Sequence, residues 1–293
     1  MSSTGHPSPL PEGWTFGPLA LEEARVLRSW AAQEGWNPGL HDLEVAYALQ
    51  PEAFVGLRRE GELVGAGAIT VHGEAFGFMG LFILVPEVRG LGLGGWLWHE
   101  RLRLLKDRLG PGASVGMDGV LAMEPFYARG GFRREHLDLR FEGVARGAPS
   151  ERVVPLDQVE PGELVELVRT ATAAARPEFL EAWWAAPGVQ AGAILEEGRP
   201  VAVGTLRPAD VGHKFGPVVA RCPEAARELL LDLMARVQGE QVQLDLPEPN
   251  AAALDFARER GFEPVFQCAR MVNGPAPAVR LDHLWGITSF EFG

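Results

Sequence analysis

Cysteine is nearly absent: the chain has two, Cys222 and Cys268. Two thiols cannot supply a disulfide framework or a four-ligand zinc site. They read as reduced thiols, which points to the cytoplasm and to no metal. Lysine is as scarce. Of 27 basic residues only Lys106 and Lys214 are lysines, a bias that carries no functional weight. The 39 acidic residues leave a formal net charge of −12, and no Lys/Arg-rich run interrupts it. Nucleic acid and anionic membrane surfaces are therefore poor partners. No run of roughly 18 apolar residues is present to span a bilayer. The Ser/Pro/Gly-rich start, residues 1–11, lacks the basic and apolar segments of a signal peptide and reads as a flexible N-terminus. Tyrosine occurs only at positions 47 and 127.

What remains is an ordinary globular composition, 46% hydrophobic and 23% charged, over 293 residues. That length suits about two domains of roughly 150 residues each. The 36 glycines and 23 prolines are scattered without a period, which excludes collagen-like and low-complexity chains.

Periodicity divides the chain into elements. A short strand over 14–19 precedes helices over 20–34 and 43–49. Strand-like runs at 53–58 and 63–71 meet at Arg59-Glu60-Gly61-Glu62, a hairpin signal. A third run, 76–85, ends at Pro86 and is expected to pair antiparallel with the second. An amphipathic helix over 93–109 is closed by Gly110-Pro111-Gly112. A strand over 113–117, a helix over 125–129 and a strand over 132–141 complete the first half. Composition shifts to Gly, Pro, Ala and charge near Gly147, so the expected domains are 12–146 and 147–293.

The second half repeats this order more faintly. Helices are expected over 163–175, 178–185, 223–237 and 250–260. Strands are expected over 191–195, 201–206, 211–219, 242–246 and 262–272, with a loop-rich tail over 274–293. Phe126 to Phe132 and Phe256 to Phe262 both run from an aromatic residue to Gly-Phe between a helix and a closing strand, which supports an internal repeat.

The most informative segment is Leu81 to Gly95, LFILVPEVRGLGLGG. It reads as strand, Pro, Gly-rich loop, helix. Glycines let backbone N–H groups converge with no Cβ in the way. The following helix adds free N–H groups and the positive end of its dipole. Together they suit a phosphate or pyrophosphate. Gly90-x-Gly92-x-x-Gly95 formally meets the dinucleotide-binding fingerprint, with Asp118 near the expected acidic position. That fingerprint follows directly on a parallel strand, however. Here Pro86-Glu87-Val88-Arg89 intervenes and the preceding strands are hairpin-linked.

Val85 to Gly94 more closely resembles the acyl-CoA pyrophosphate loop of the GNAT superfamily of N-acetyltransferases. Arg89, Gly92 and Gly94 meet its Arg/Gln-x-x-Gly-x-Gly/Ala pattern. The hairpin before the loop and Tyr127-x-x-x-Gly131-Phe132 after it stand in the family's order. The resemblance is motif-level over 14–142. The whole chain is also similar to a bacterial two-lobed GNAT subgroup, through Gly216-Pro217-x-x-Ala220, Pro247-x-x-Asn250, Gly261-Phe262 and Arg270-Met271.

The resemblance implies an α/β (α+β) fold of two tandem GNAT-like lobes, each a mixed, mainly antiparallel twisted sheet flanked by helices. It implies acetyl-CoA as acyl donor and a small-molecule or peptide amine as acceptor. Phe82, Ile83 and Leu84 would hold the pantetheine, with the Leu84 N–H facing the thioester oxygen. Arg89, Gly90, Leu91, Gly92, Leu93, Gly94 and Gly95 would hold the pyrophosphate. Tyr127 would protonate the leaving thiolate. The amine is itself the nucleophile, so no Ser-His-Asp set is required. The base stays open among Asp118, Glu124, His72 and a water relay.

Trp96, Trp98 and His99, like Trp183 and Trp184, are expected to pack rather than bind ligand. The second lobe lacks a Gly-x-Gly before its long helix and has Ala257 at the tyrosine position, so one acyl-CoA site per chain is expected. The other reading is a non-catalytic acyl-CoA-binding sensor. Homodimerisation is left open.

Overall fold

The computed structural model describes residues 9–293. The start of the expected flexible segment, 1–8, lies outside the described residues. The first half runs β1 (Trp14–Pro18), α1 (Leu21–Gln33), α2 (Asp42–Leu49), β2 (Phe54–Arg59), β3 (Glu62–Val71), β4 (Phe76–Leu84), α3 (Leu93–Asp107), β5 (Ser114–Val120), α4 (Glu124–Arg129) and β6 (Arg133–Val144). The second half runs β7 (Val153–Val154), α5 (Pro161–Arg169), α6 (Pro177–Trp184), β8 (Gln190–Glu196), β9 (Arg199–Pro208) and β10 (His213–Ala220). It continues through α7 (Pro223–Ala235), β11 (Gln241–Pro247), α8 (Ala251–Glu259), β12 (Glu263–Asn273) and β13 (Leu284–Gly286).

Local chemistry explains most boundaries. Glu23 in the first turn of α1 accepts the Ala20 N–H at 2.9 Å. Pro223 opens α7, and the Asn250 side chain caps α8 by accepting the Ala253 N–H. In α3, Leu93, Leu97, Trp98, Leu102 and Leu105 form the buried stripe.

The strands form one continuous sheet rather than two. Its order is β1-β2-β3-β4-β5-β12-β6-β11-β10-β9-β8-β7, with β13 against β10. Most neighbours are antiparallel; β4–β5 and β10–β11 are parallel. The closing strands are exchanged between the halves. β12, from the second half, pairs with β5, while β6, from the first half, pairs with β11. The sheet thus crosses the 146/147 division. Alternation shows which face of a strand is buried but not which strand lies beside it, so the exchange has no signature in the pattern.

In each half the two parallel strands pair only at their starts and then diverge. β4 and β5 are in register at Phe76↔Ser114 through Phe78↔Gly116, and β10 and β11 only at His213↔Val242 and Lys214↔Gln243. The second gap is filled by the chain's own tail. β13 pairs with β10, Ile287 donates its N–H to the Asp245 carbonyl at 2.9 Å, and Trp285 is fully buried. The tail is loop-rich, as expected, apart from the short β13, but it is not a surface loop: Leu284, Trp285, Ile287, Phe290 and Phe292 make it a core segment. The helix expected over 163–175 ends earlier, at Arg169. Among the described residues no helix is long and apolar enough to cross a membrane.

Candidate active site

The gap between β4 and β5 begins at a defect in β4. Ala66 pairs with Ile83 and Ala68 with Gly80, so Leu81 and Phe82 together face Gly67. This is a β-bulge, and Leu81 sits at φ +51° within it, a conformation disfavoured for a branched side chain. Arg101 of α3 braces the bulge from below. Its guanidinium donates to the carbonyls of Ala68 and Gly80, both at 2.6 Å, and lies over the Phe82 ring. Arg101 is fully buried, and burial lowers its pKa to about 9.

Beyond the bulge, Val85 donates its N–H to Val64. By the alternation of an antiparallel ladder, the preceding residue, Leu84, turns its N–H and C=O away from β3 and into the gap. The Arg89 Nε–H donates to that carbonyl at 2.9 Å. Gly90 and Gly92 adopt φ +81° and +82°, and Gly92 is the N-cap of α3. The loop needs glycine at both positions for this reason. It delivers the unpaired N–H groups of the first α3 turn to the mouth of the gap.

These parts enclose a cavity of about 480 Å³. Phe82, Ile83, Leu84, Arg89, Gly90, Gly94, Gly95 and Tyr127, among the residues singled out from the sequence, line it. Leu91 points outward at the loop tip, Gly92 serves as the cap, and the Leu93 side chain packs into the core; none of these three is a lining residue. The Arg89 guanidinium is committed to Glu34 at 2.5 Å. Tyr127 packs against Trp98 in the core, and burial raises its pKa to about 12, so the phenol holds its proton at neutral pH.

The opposite wall comes from the second half. Phe266 and Cys268 of the exchanged β12, and Phe290 and Glu291 of the tail, join Trp36 there. Burial raises the Cys268 thiol pKa, with Asp118 and Asp138 adding to the effect. Behind this wall one face of the central sheet carries a buried row of charge. Arg270 makes two hydrogen bonds to Asp118, at 2.5 and 2.8 Å, and stands 3.4 Å from Asp138. Arg140 makes two to Asp245, at 2.7 and 2.8 Å, with Lys214 Nζ 3.8 Å from the same carboxylate. Burial raises the Asp118 pKa to about 8, Arg270 opposing and Asp138 reinforcing the shift.

The three base candidates separate clearly. Asp118 lines the cavity but is held by Arg270. Glu124 is paired with Arg134 and is not a lining residue. His72 is buried beside Thr70 and Arg176 in a different pocket, its pKa pushed well below normal by burial. Trp96 packs against Phe16, Trp98 is core, and His99 is exposed. Trp183 is buried and stacks on Phe179, and Trp184 packs against an apolar cluster of the second half.

Comparison with known proteins agrees with this geometry. The model described as the GNAT acetyltransferase family matches residues 21–132, and one described as a GNAT acetyltransferase domain matches 164–286. The chain belongs to the GNAT acetyltransferases. It is an acyltransferase built from two GNAT lobes. It is 28% identical over 287 residues to the holothin acyltransferase of a Pseudoalteromonas species, covering 96% of this chain and 95% of that one. In fold it is similar to a Pyrococcus horikoshii protein assigned as an acetyltransferase, at 20% identity and TM-score 0.82 over the whole of both chains. A tandem GNAT protein from the clavulanic acid biosynthesis pathway matches at 16% identity and TM-score 0.62, over 90% of this chain and 99% of that one.

Sequence reasoning missed Phe266, Cys268, Phe290 and Glu291. The available signal was the aromatic density of the tail, which is unusual for a surface loop.

Proposed function

We propose that the chain is a cytoplasmic, acetyl-CoA-dependent N-acetyltransferase in which a primary amine attacks the thioester directly. The carrying observation is that the bulged β4, the glycine loop and Tyr127 face one cavity. Segment 12–146 acts as the catalytic domain, and 147–293 supplies the acceptor wall. The amides from Gly90 to Gly95 receive the pyrophosphate, and Arg89 exchanges Glu34 for it. The backbone of Phe82 to Leu84 aligns the pantetheine, and the Leu84 N–H meets the carbonyl oxygen as it gains charge. Tyr127 gives its proton to the departing thiolate.

The acceptor side is lined by Trp36, Phe266 and Phe290, which favours a small, flat or apolar amine over a polyamine or aminoglycoside. The similarity to a holothin acyltransferase adds holothin to the acceptors to be tested. The test is thiol release from acetyl-CoA against a panel of arylamines, alkylamines, polyamines, aminoglycosides and peptides. Release with a small apolar amine is the expected result. Tight binding of acetyl-CoA with no release from any amine would instead support an acyl-CoA-binding protein, and no binding would defeat both readings.

A further inference from the structure

Three carboxylates border the cavity, and they differ in what holds them. Glu34 is paired with Arg89, and Asp118 with Arg270. Glu291 lines the cavity but is only 4% exposed; its Oε2 is closed off from solvent and has no hydrogen-bond partner among the described residues. A buried carboxylate oxygen without a donor is costly unless something else supplies one.

The fold fixes Glu291 in place. Ser289 Oγ accepts the N–H groups of Glu291 and Phe292, both at 3.0 Å. A Cβ at Gly80, just before the bulge, would fall 1.8 Å from the Glu291 carbonyl oxygen. Only glycine there lets the tail rest against the strand that carries the donor site. Glu291 is within electrostatic range of two buried cations, Lys214 and Arg140. Lys214 Nζ is fully buried and is itself without a hydrogen-bond partner among the described residues.

We propose that Glu291 is the group that receives the acceptor amine, its carboxylate taking first a hydrogen bond and then a proton from the incoming ammonium. This rests on the acyl-transfer reading. The balance closes as follows. The Glu291 carboxylate takes one proton from R–NH₃⁺, giving R–NH₂ and a carboxylic acid. The nitrogen lone pair forms the N–C bond, the C–S bond breaks, and the thiolate takes the Tyr127 proton. The second nitrogen proton restores the phenol, and Glu291 releases its proton to solvent. One proton leaves per turnover, alongside the amide and the free thiol.

The test uses the full chain and the fastest amine of the panel. Glu291→Gln should lower kcat about a hundredfold or more, while acetyl-CoA affinity by titration calorimetry stays within about twofold. Glu291→Asp should recover part of the rate. Turnover by Glu291→Gln within about threefold of the unaltered chain overturns the proposal. If Glu291→Gln does not fold, Glu291→Asp decides: an unchanged kcat overturns the proposal, and a kcat lowered about tenfold with acetyl-CoA affinity kept supports it. Loss of acetyl-CoA binding in both variants makes Glu291 structural and also overturns it. Failure of the acyl-transfer reading is separate, because the unaltered chain would then release no thiol with any amine.

Discussion

Arg270 offers the sharpest test of the exchanged strands. It lies on β12, between Asp118 of β5 and Asp138 of β6, and both carboxylates are buried. Replacing it with leucine leaves two carboxylates facing each other with their shared cation gone. Removing one partner of a buried ion pair costs about 3–5 kcal/mol. At roughly 2–4 °C per kcal/mol for a chain of this size, Tm should fall by roughly 6–20 °C near pH 8. The loss should depend on pH. Burial already lifts Asp118 to about 8. The folded chain therefore holds a proton that the unfolded chain releases between about pH 4 and 8. The stability tied to that proton is present at acid pH and is lost as pH rises through this window. Without Arg270 the carboxyls protonate more readily, so the deficit should shrink towards pH 5. Scanning calorimetry at pH 5, 6.5 and 8 measures this. A fall of less than about 2 °C, or one independent of pH, would refute the reasoning.

Three further predictions follow the same logic. Asp138→Asn removes the like charge beside Asp118, so its Tm at pH 8 should equal or exceed that of the unaltered chain, and the pH slope of stability should flatten. Tyr127→Phe should lower kcat about 10²-fold or more with little change in acetyl-CoA affinity, seen as a kcat-against-Kd split. Because burial holds the Tyr127 phenol to about 12, rates should show no alkaline decline from this group up to about pH 10. Gly92→Val places a β-branched residue at φ +82°, a strain of about 1–3 kcal/mol at the mouth of the cradle. Acetyl-CoA should then bind about tenfold more weakly or worse by calorimetry.

The sequence carried the order of elements and the donor side of the site because both are local. Gly90 and Gly92 advertise positive φ, and Leu93 to Leu105 advertise a helix. The acceptor side was not legible because it is assembled from distant segments. Phe266 and Cys268 reach the cavity only because β12 crosses into the first half, and Phe290 and Glu291 only because the tail threads the second gap. The bulge at Leu81 had no sequence mark: a leucine in an apolar run reads as ordinary strand, and the small residues opposite, Gly67 and Gly80, show their purpose only once Arg101 and Glu291 are seen against them. Asp118 stood out as an acidic residue on a strand. Its capture by Arg270, 152 positions later, depends on the exchanged pairing.

The central claim is one acyl-donor site per chain, built by the first half, with the second gap closed by the chain's own β13. Titration calorimetry with acetyl-CoA tests it most directly. The account predicts a stoichiometry of one per chain, with that binding weakened by Gly92→Val. Two equivalents per chain, or a single site indifferent to Gly92→Val, would contradict it.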